Sequence, residues 1–439
     1  MSDFPQEISE CTVDEARDDD QFLKALGLTA RSWVEHTREY LFQSISVDAR
    51  DTSPEGACHA LVLLIKKRPS IQFYFGHLTI RVKDTLPSVI HFAGTDVHMT
   101  EGLASLLPLL SFVTTLSIVG TGDGGRSSWT NIPRLVRDRL LDLISRSKID
   151  SLHIHKIGDI PGALFAHLPH LQHLRLFSAS SSATSFHESG YSTQFYSPPR
   201  PSIRTLQVYD SHLLAFALFW PLPTQTGPRA RLDTHQLLEL EIYTDFDDHN
   251  VGRAWSAVLD HCSTIEKYTV VQDCEYPPTK HFPQTVLNLR RFPNLQVLQL
   301  SWYYTIIPEG GFNHNPLPGF VTNLAQIENH NQLRTVELNV RCEHYNRIAF
   351  DFVTTPRLGM PRSLVQICMF DEFWGQFDWV LSQCGFSQLM EVYVHWVSPL
   401  PPCEDSLHEV YLRGGLPRLI AKGVQLSSSI KNIQGGELD

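Results

Sequence analysis

The segment Leu171-Gln172-His173-Leu174-Arg175-Leu176 carries the pattern that decides the fold: an apolar residue, then two more apolar residues after three and five positions. The last two side chains point to one face of a short strand, and the first anchors the turn before it. The pattern recurs ten more times, with starts 22 to 38 residues apart. The other segments are Phe75-Leu78-Ile80, Val113-Leu116-Ile118, Ile149-Leu152-Ile154, Ile203-Leu206-Val208, Leu237-Leu240-Ile242, Ile265-Tyr268-Val270, Leu295-Leu298-Leu300, Leu333-Val336-Leu338, Leu364-Ile367-Met369 and Leu389-Val392-Val394.

One such strand cannot bury its apolar face alone, so neighbouring strands must stack and share a continuous core. Between strands, residues 133–144 and 254–259 have helical apolar spacing. A strand that alternates with a helix at a fairly regular period is typical of leucine-rich repeats. We therefore predict an α/β fold for residues 49–426, a leucine-rich-repeat-like solenoid with a curved parallel sheet and outer helices. The repeats are irregular, because their lengths vary and no Asn follows the strand.

The composition excludes several classes of partner. The net charge of -11 over 439 residues argues against a nucleic acid or an anionic membrane as partner. No run of about 18 apolar residues is present, so we predict no membrane span. The acidic first residues do not resemble a signal peptide, and the eight cysteines include no C-x-x-C pair. We predict a cytoplasmic or nuclear protein with reduced thiols.

Three segments interrupt the repeats. Residues 120–125 are glycine-rich but are followed by Arg126 rather than the Lys of a phosphate-binding loop, so we predict a plain loop. Residues 178–202 are rich in Ser and Pro and are predicted to be a flexible insertion. Residues 427–439 are predicted to be a C-terminal tail.

Residue clusters that suggest chemistry are weak. His167, His170 and His173 recur every three residues, but Pro169 interrupts any helix that would align them as metal ligands. Residues 245–250 are acidic but lack the Gly and the terminal Glu of a calcium loop. Residues 403–405 (Cys-Glu-Asp) and 408 (His) show only sequence proximity, which does not define a nucleophile. We predict no enzyme, no metal and no cofactor.

The outward side chains of the strands are the better candidates for a function. Counted from the first apolar residue, the second, fourth and sixth positions point away from the core. The fourth-position row is mostly polar, whereas about half of the sixth-position row is apolar or aromatic. Aromatic side chains on an exposed face suit protein binding, unless a following loop covers them. The predicted target-binding residues are Phe177, Tyr209, Tyr243, Phe370, Tyr393 and His395.

The first fifty residues have a different pattern, with helical signals in place of the strand motif. Their blocks are Phe4-Pro5-Gln6-Glu7-Ile8, then Leu23-Lys24-Ala25-Leu26-Gly27-Leu28, then Arg31-Ser32-Trp33 and Leu41-Phe42-Gln43-Ser44-Ile45. In order and spacing these blocks resemble the F-box proteins, especially fungal members whose remaining chain is a divergent leucine-rich array.

The resemblance implies a small all-α F-box-like unit over residues 1–48 that binds a Skp-family adaptor and, through it, a cullin scaffold. The residues that would bind the adaptor are Phe4, Pro5, Ile8, Leu23, Leu28 and Trp33. The chain would then be the substrate-recognition subunit of an SCF-type ubiquitin ligase, whose repeats hold an unknown target protein. The alternative is a non-catalytic protein-binding scaffold with a degenerate F-box, because Thr12 and Ala16 stand where family members carry bulky aliphatic residues.

Overall fold

A computed structural model describes most of the repeat region in two compact units. The first unit is Met1–Ile203 with Leu213–Asp233, and the second is Arg204–His212 with Thr234–Asp439. The described residues are 21, 23–24, 33–50, 56–83, 101–122, 125–181, 201–219, 232–244, 255–256, 258–272, 288–306, 317–325, 327, 332–344, 371–398 and 413–432.

The first unit contains a parallel sheet whose strands follow in the order β1-β2-β3-β5-β7. The register is regular, since His77 lies opposite Thr115, Thr115 opposite Ser151, and Ser151 opposite His173. A second, two-stranded parallel sheet pairs β4 with β6. The elements are α1 (Trp33–Gln43), β1 (Ser44–Asp48), α2 (Ala57–Lys67), β2 (His77–Val82), α3 (Glu101–Leu106), β3 (Thr115–Gly120), β4 (Ser127–Ser128), α4 (Arg134–Arg146), β5 (Ser151–His155), β6 (Ile157–Gly158), α5 (Ala163–Ala166) and β7 (His173–Phe177).

The second unit contains strands β8 to β14, which pair in parallel in the order of the sequence. The elements that follow β7 in the chain are β8 (Thr205–Tyr209), α6 (His212–Phe219), β9 (Glu239–Thr244), β10 (Lys267–Gln272), β11 (Val297–Ile306), α7 (Leu317–Ala325), β12 (Thr335–His344), α8 (Asp371–Ser382), β13 (Glu391–Ser398), α9 (Pro417–Ala421) and β14 (Gln425–Asn432). Part of the predicted helix at 254–259 is also helical, at residues 255–256 and 258–259.

The apolar residues of the repeated motif form the core. In all ten segments that lie within the described residues, the three motif residues are buried, with side chains such as Leu78, Leu152 and Leu298 fully enclosed. Consecutive helices pack side by side within each unit, α2 with α3 and α7 with α8, so they form the layer that covers this core. The predicted leucine-rich-repeat-like architecture, with parallel strands and outer helices, is therefore present in both units.

Three details differ from the sequence prediction or lie beyond it. Residues 44–48 form β1, paired with β2, although they fall inside the predicted all-α unit, so the sheet begins before residue 49. Residues 427–432 belong to β14 and not to a tail, because one parallel neighbour, β13, supplies their backbone hydrogen bonds. Residues 364–369 lie outside the described residues, as do 433–439, and β12 pairs directly with β13.

The strand ends of the first unit are held by a close backbone approach. Gly120 ends β3 against Lys156, and a Cβ at Gly120 would overlap the Lys156 carbonyl oxygen. That oxygen accepts a hydrogen bond from the Ser127 backbone N–H at 2.8 Å. Lys156 itself has φ of 52°, and Ser178, directly after β7, has φ of 46°. Left-handed residues therefore follow β5 and β7 directly.

Two helices of the second unit cap each other. The Asp378 carboxylate in α8 accepts hydrogen bonds from the backbone N–H groups of Arg418 at 3.0 Å and Leu419 at 2.9 Å, at the start of α9. Lys422, just after α9, donates in return to the carbonyl oxygens of Leu381 and Phe386 near the end of α8. Asp378 thus satisfies N–H groups at the start of α9, and Lys422 satisfies the carbonyl of Leu381 in the last turn of α8, which are groups that lack partners within their own helix.

Candidate protein-binding faces

The exposed side of each sheet carries the candidate site. Burial alternates along the strands: in β2, Leu78 and Ile80 are buried, whereas Thr79 is partly exposed and Arg81 is exposed. This alternation follows from the two-residue period of a strand and places the second, fourth and sixth motif positions on the open side. We call the outward side chains of β1, β2, β3, β5 and β7 the first face, and those of β8 to β14 the second face.

The first face is rich in groups that can carry positive charge. Arg81 on β2 and Arg175 on β7 are both exposed, and among the described residues neither forms an ion pair. The acidic residue of these rows, Asp48, is paired with Lys83 at 2.8 Å. The histidines of this face are His77, His153, His155 and His173.

His153 occupies the middle of the first face. Its Nδ1 lies 3.4 Å from the Ser117 hydroxyl, and its Nε2 lies 3.1 Å from the Ser151 hydroxyl. Burial is the main cause that lowers the pKa of His153 to about 4, and the positive charge of Arg175 adds to the effect. At neutral pH this ring is therefore an uncharged hydrogen-bonding group between the two arginines.

An aromatic contact borders the first face at the ends of its last two strands. The rings of His155 and Phe177 are 4.4 Å apart, tilted by 58°. Phe177 remains 38% exposed. Burial, and secondarily the charge of Lys156, lowers the pKa of His155. Phe177 therefore offers apolar surface on the same strand as Arg175.

The second face is acidic and polar. Among the side chains that the structure describes on this face, the carboxylates are Glu239, Glu241, Glu337 and Glu391, and the lysine is Lys267 on β10. A shallow depression over β8, β9 and β10 is lined by their second- and fourth-position side chains. These are Thr205, Gln207, Glu239, Glu241, Lys267 and Thr269.

Hydrogen bonds between strands connect many polar groups of the second face. The Gln207 amide donates to Glu241 at 2.6 Å. Further along, the Thr269 hydroxyl donates to the Gln299 amide oxygen at 3.4 Å, and the Gln299 amide donates to Glu337 at 3.4 Å.

The same row of contacts continues to the last strand. His395 Nε2 lies 3.3 Å from Glu337, and His395 Nδ1 lies 2.7 Å from the Ser429 hydroxyl. A series of side-chain contacts on the second face thus links β10 to β14, and it steps from the fourth-position row to the sixth-position row between Glu337 and His395. The linkage fixes the positions of side chains that are buried, such as Thr269, or partly buried.

Most of the predicted target-binding residues lie where the sequence places them. Phe177, at the end of β7, belongs to the first face. In the second unit the rings of Tyr209 and Tyr243 are 5.2 Å apart, and those of Tyr393 and His395 are stacked at 6.1 Å. Phe370 lies outside the described residues. These ring contacts therefore join Tyr209, Tyr243 and His395 to other residues of the second face. The sequence alone does not reveal such contacts.

Sequence reasoning missed the difference in charge between the two faces. The outward rows of the sequence contain Arg81, Arg175 and the carboxylates, but the rows were compared only for polar and aromatic character. Counting the basic and acidic residues of the outward rows along the chain would have revealed this difference in charge.

Most of the predicted adaptor-binding residues lie in parts of the chain that the structure does not describe. Phe4, Pro5, Ile8 and Leu28 lie outside the described residues. Leu23 is fully buried, so its side chain packs inside the structure and offers no exposed contact surface. Trp33 is the first residue of α1. The adaptor contact stays a prediction.

The residue clusters that the sequence analysis judged weak are the last candidates to be placed. His167 and His170 are exposed, whereas His173 belongs to β7. Within the described ranges, no three His, Cys, Asp or Glu side chains lie together as a metal site requires. The acidic segment 245–250 and residues 403–408 lie outside the described residues. Of the helices that the structure describes, none is long and apolar enough to cross a membrane.

Comparison with known proteins adds little beyond this geometry. No family model matches the chain, and no curated protein matches its sequence significantly. A similar solved structure is an internalin (inlF) from Listeria monocytogenes str. 4b F2365, at 12% identity, covering 94% of this chain and 90% of that chain, with a TM-score of 0.30. A TM-score this low does not establish that the two chains share a fold. The class, a leucine-rich-repeat-like protein, rests on the parallel strands and their registers.

Proposed function

We propose that this chain is a non-catalytic repeat protein that binds another protein on the open faces of its sheets. The observation that carries the proposal is the pair of faces themselves, in which polar, charged and aromatic side chains stand in register on parallel strands. Adjacent strands lie about 4.8 Å apart, so each face offers evenly spaced contacts over many ångströms. Repeat architectures commonly bind their partners on such extended surfaces.

In finer detail, we propose that the chain serves as the substrate-recognition subunit of an SCF-type ubiquitin ligase. The support is the F-box-like order of blocks in residues 3–47, followed by repeats that can hold a target. In that role the chain does no chemistry itself. It brings a target lysine near a ubiquitin-loaded enzyme, which raises the effective concentration of the two reactants.

Copurification with a Skp-family adaptor tests the receptor role. The full chain is expected to retain the adaptor, and the double variant Pro5→Ala/Ile8→Ala is expected to lose it. Leu23 is left unchanged, because its substitution would report on packing as well as on binding. The control is Leu135→Ala, since Leu135 is an exposed residue of α4.

The competing function is a binding scaffold whose F-box-like segment no longer engages an adaptor. It predicts that neither the full chain nor any variant retains the adaptor, whereas proteins bound to the repeats remain. An adaptor signal that is absent from the full chain, or unchanged by the double variant, contradicts the receptor role. Detectable turnover of a substrate by the isolated chain would contradict both functions.

A further inference from the structure

We propose that the first face binds an extended peptide segment rich in aspartate and glutamate on the partner protein. This inference rests on the proposed protein-binding function and names the chemistry of the partner. Arg81 and Arg175 anchor the segment, and the polar surface between them accepts its backbone.

The charges of the first face call for an anionic partner. Arg81 and Arg175 are exposed, and among the described residues no carboxylate pairs with either of them. Asp48 is already engaged by Lys83. Guanidinium groups bind carboxylates with paired, charge-assisted hydrogen bonds, which gives geometric specificity as well as attraction.

The separation of the two arginines favours a chain with several acidic groups. Arg81 is on β2 and Arg175 is on β7, and strands β3 and β5 lie between them. Three strand spacings of about 4.8 Å place the two strands about 14 Å apart. An extended peptide covers this distance in about four residues, so two carboxylates of one segment can contact both arginines.

Apart from Val119, which lies opposite Arg81, the surface between the arginines is polar and adds no charge of either sign at neutral pH. Ser117 and Ser151 hold the His153 ring by its two nitrogens. The exposed ring of Phe177 lies two residues after Arg175 on the same strand. An acidic residue followed closely by a bulky apolar residue therefore fits the β7 end of the face.

A peptide fits the whole chain better than a nucleic acid does. The chain has a net charge of -11, which repels a long polyanion at a distance. A short acidic segment instead interacts mainly with the charges within about 10 Å of it. Among its described side chains the second face carries four glutamates and one lysine, so the same segment is repelled there.

Fluorescence anisotropy on the full chain tests the proposal. The probe is a labelled peptide of about twelve residues that contains Glu at every second position and one Phe, and its partner probe has Gln in place of each Glu. We expect the Glu peptide to bind at least about tenfold more tightly than the Gln peptide at low salt. We expect the variant Arg81→Gln/Arg175→Gln to lose this preference.

The control variant is Arg134→Gln, which removes an exposed arginine from helix α4 and is expected to leave binding unchanged. Circular dichroism verifies folding, and if the double variant does not fold, Arg175→Gln alone is measured. Equal binding of both peptides, equal binding by the folded variant, or tighter binding of a single-stranded oligonucleotide overturns the proposal. Adaptor copurification is independent of these residues, so its result separates failure of this inference from failure of the receptor role.

Discussion

The first and second faces arise from the same strand motif but use their polar side chains differently. On the first face, Arg81 and Arg175 are exposed without an ion pair among the described residues. On the second face, Glu337 accepts a hydrogen bond from the Gln299 amide and lies 3.3 Å from His395 Nε2, so it contacts side chains on two neighbouring strands. Because the motif constrains only the buried positions, the outward positions can serve either an external partner or the structure itself.

The largest effect on stability is expected at a close backbone contact of the first unit, and not among the side chains of the first face. Gly120→Ala places a Cβ against the Lys156 carbonyl, and neither backbone segment can move without disturbing its hydrogen bonds. We expect a loss of about 4 kcal/mol in the free energy of unfolding, measured by urea denaturation. Gly125→Ala, where a Cβ meets open space, is the matched control and should differ little from the wild type.

The second unit is expected to lose nearly as much stability when its buried cap is removed. Asp378 is 3% exposed and accepts two backbone hydrogen bonds from the start of α9. Asp378→Ala leaves both N–H groups without an acceptor, and we expect a loss of about 3 kcal/mol. Asp378→Asn keeps one acceptor oxygen and should lose less. Equal unfolding midpoints for the wild type and the alanine variant would show that the cap is dispensable.

On the first face, His153 is expected to have the largest effect on the free energy of unfolding, and this effect appears at acidic pH. Its pKa is about 4 in the folded chain, compared with about 6.5 when unfolded. Between these values the unfolded state binds more protons, so stability is complete above pH 6.5 and falls as the pH decreases toward 4. Allowing for partial solvent exposure, we expect a loss of about 1 kcal/mol.

Urea midpoints at pH 7 and pH 4.5 measure this effect of His153. His153→Gln should reduce the difference between the two midpoints, whereas the control His170→Gln, in an exposed turn, should not. His155, whose pKa is also lowered, leaves part of the pH dependence in the variant. The same difference in His153→Gln as in the wild type would contradict the environment described for this ring.

A smaller gain of stability is expected on the outer layer of the second unit. Gly375 lies inside α8, and a Cβ there meets open space. Gly375→Ala should raise the free energy of unfolding by about 0.5–1 kcal/mol, because alanine favours the helix. Thermal denaturation checks the gain, and a lower melting temperature would mean that this position needs the freedom of glycine.

The sequence predicts the buried half of this structure well. Residues such as Leu152 and Leu298 repeat with a fixed spacing, and burial demands apolar side chains there. The first and last strands are harder to predict from the sequence. Ser44–Asp48 follows a helix, and Gln425–Asn432 contains Ser428 where an apolar residue is usual. A strand at the end of a sheet needs one neighbour for its hydrogen bonds, so its sequence signal is weaker.

The candidate site was only partly predictable for a related reason. The open positions follow from strand geometry, and Phe177 is exposed there as expected. The pairing of Glu337 with His395 depends on the register between β12 and β13, which pattern alone does not supply. The left-handed residues Lys156 and Ser178 also gave no signal, since neither is the Gly or Asn that usually marks that conformation.

Measuring both stability and peptide binding for two single variants tests most directly the claim that the faces have different roles. Arg175→Ala should leave the free energy of unfolding within about 0.5 kcal/mol of wild type while weakening the binding of the Glu peptide. Glu337→Ala should lose about 1 kcal/mol of stability, because Gln299 and His395 lose a partner, and should leave peptide binding unchanged. If Arg175→Ala loses stability without losing binding, or Glu337→Ala loses binding without losing stability, the assignment of the two faces is contradicted.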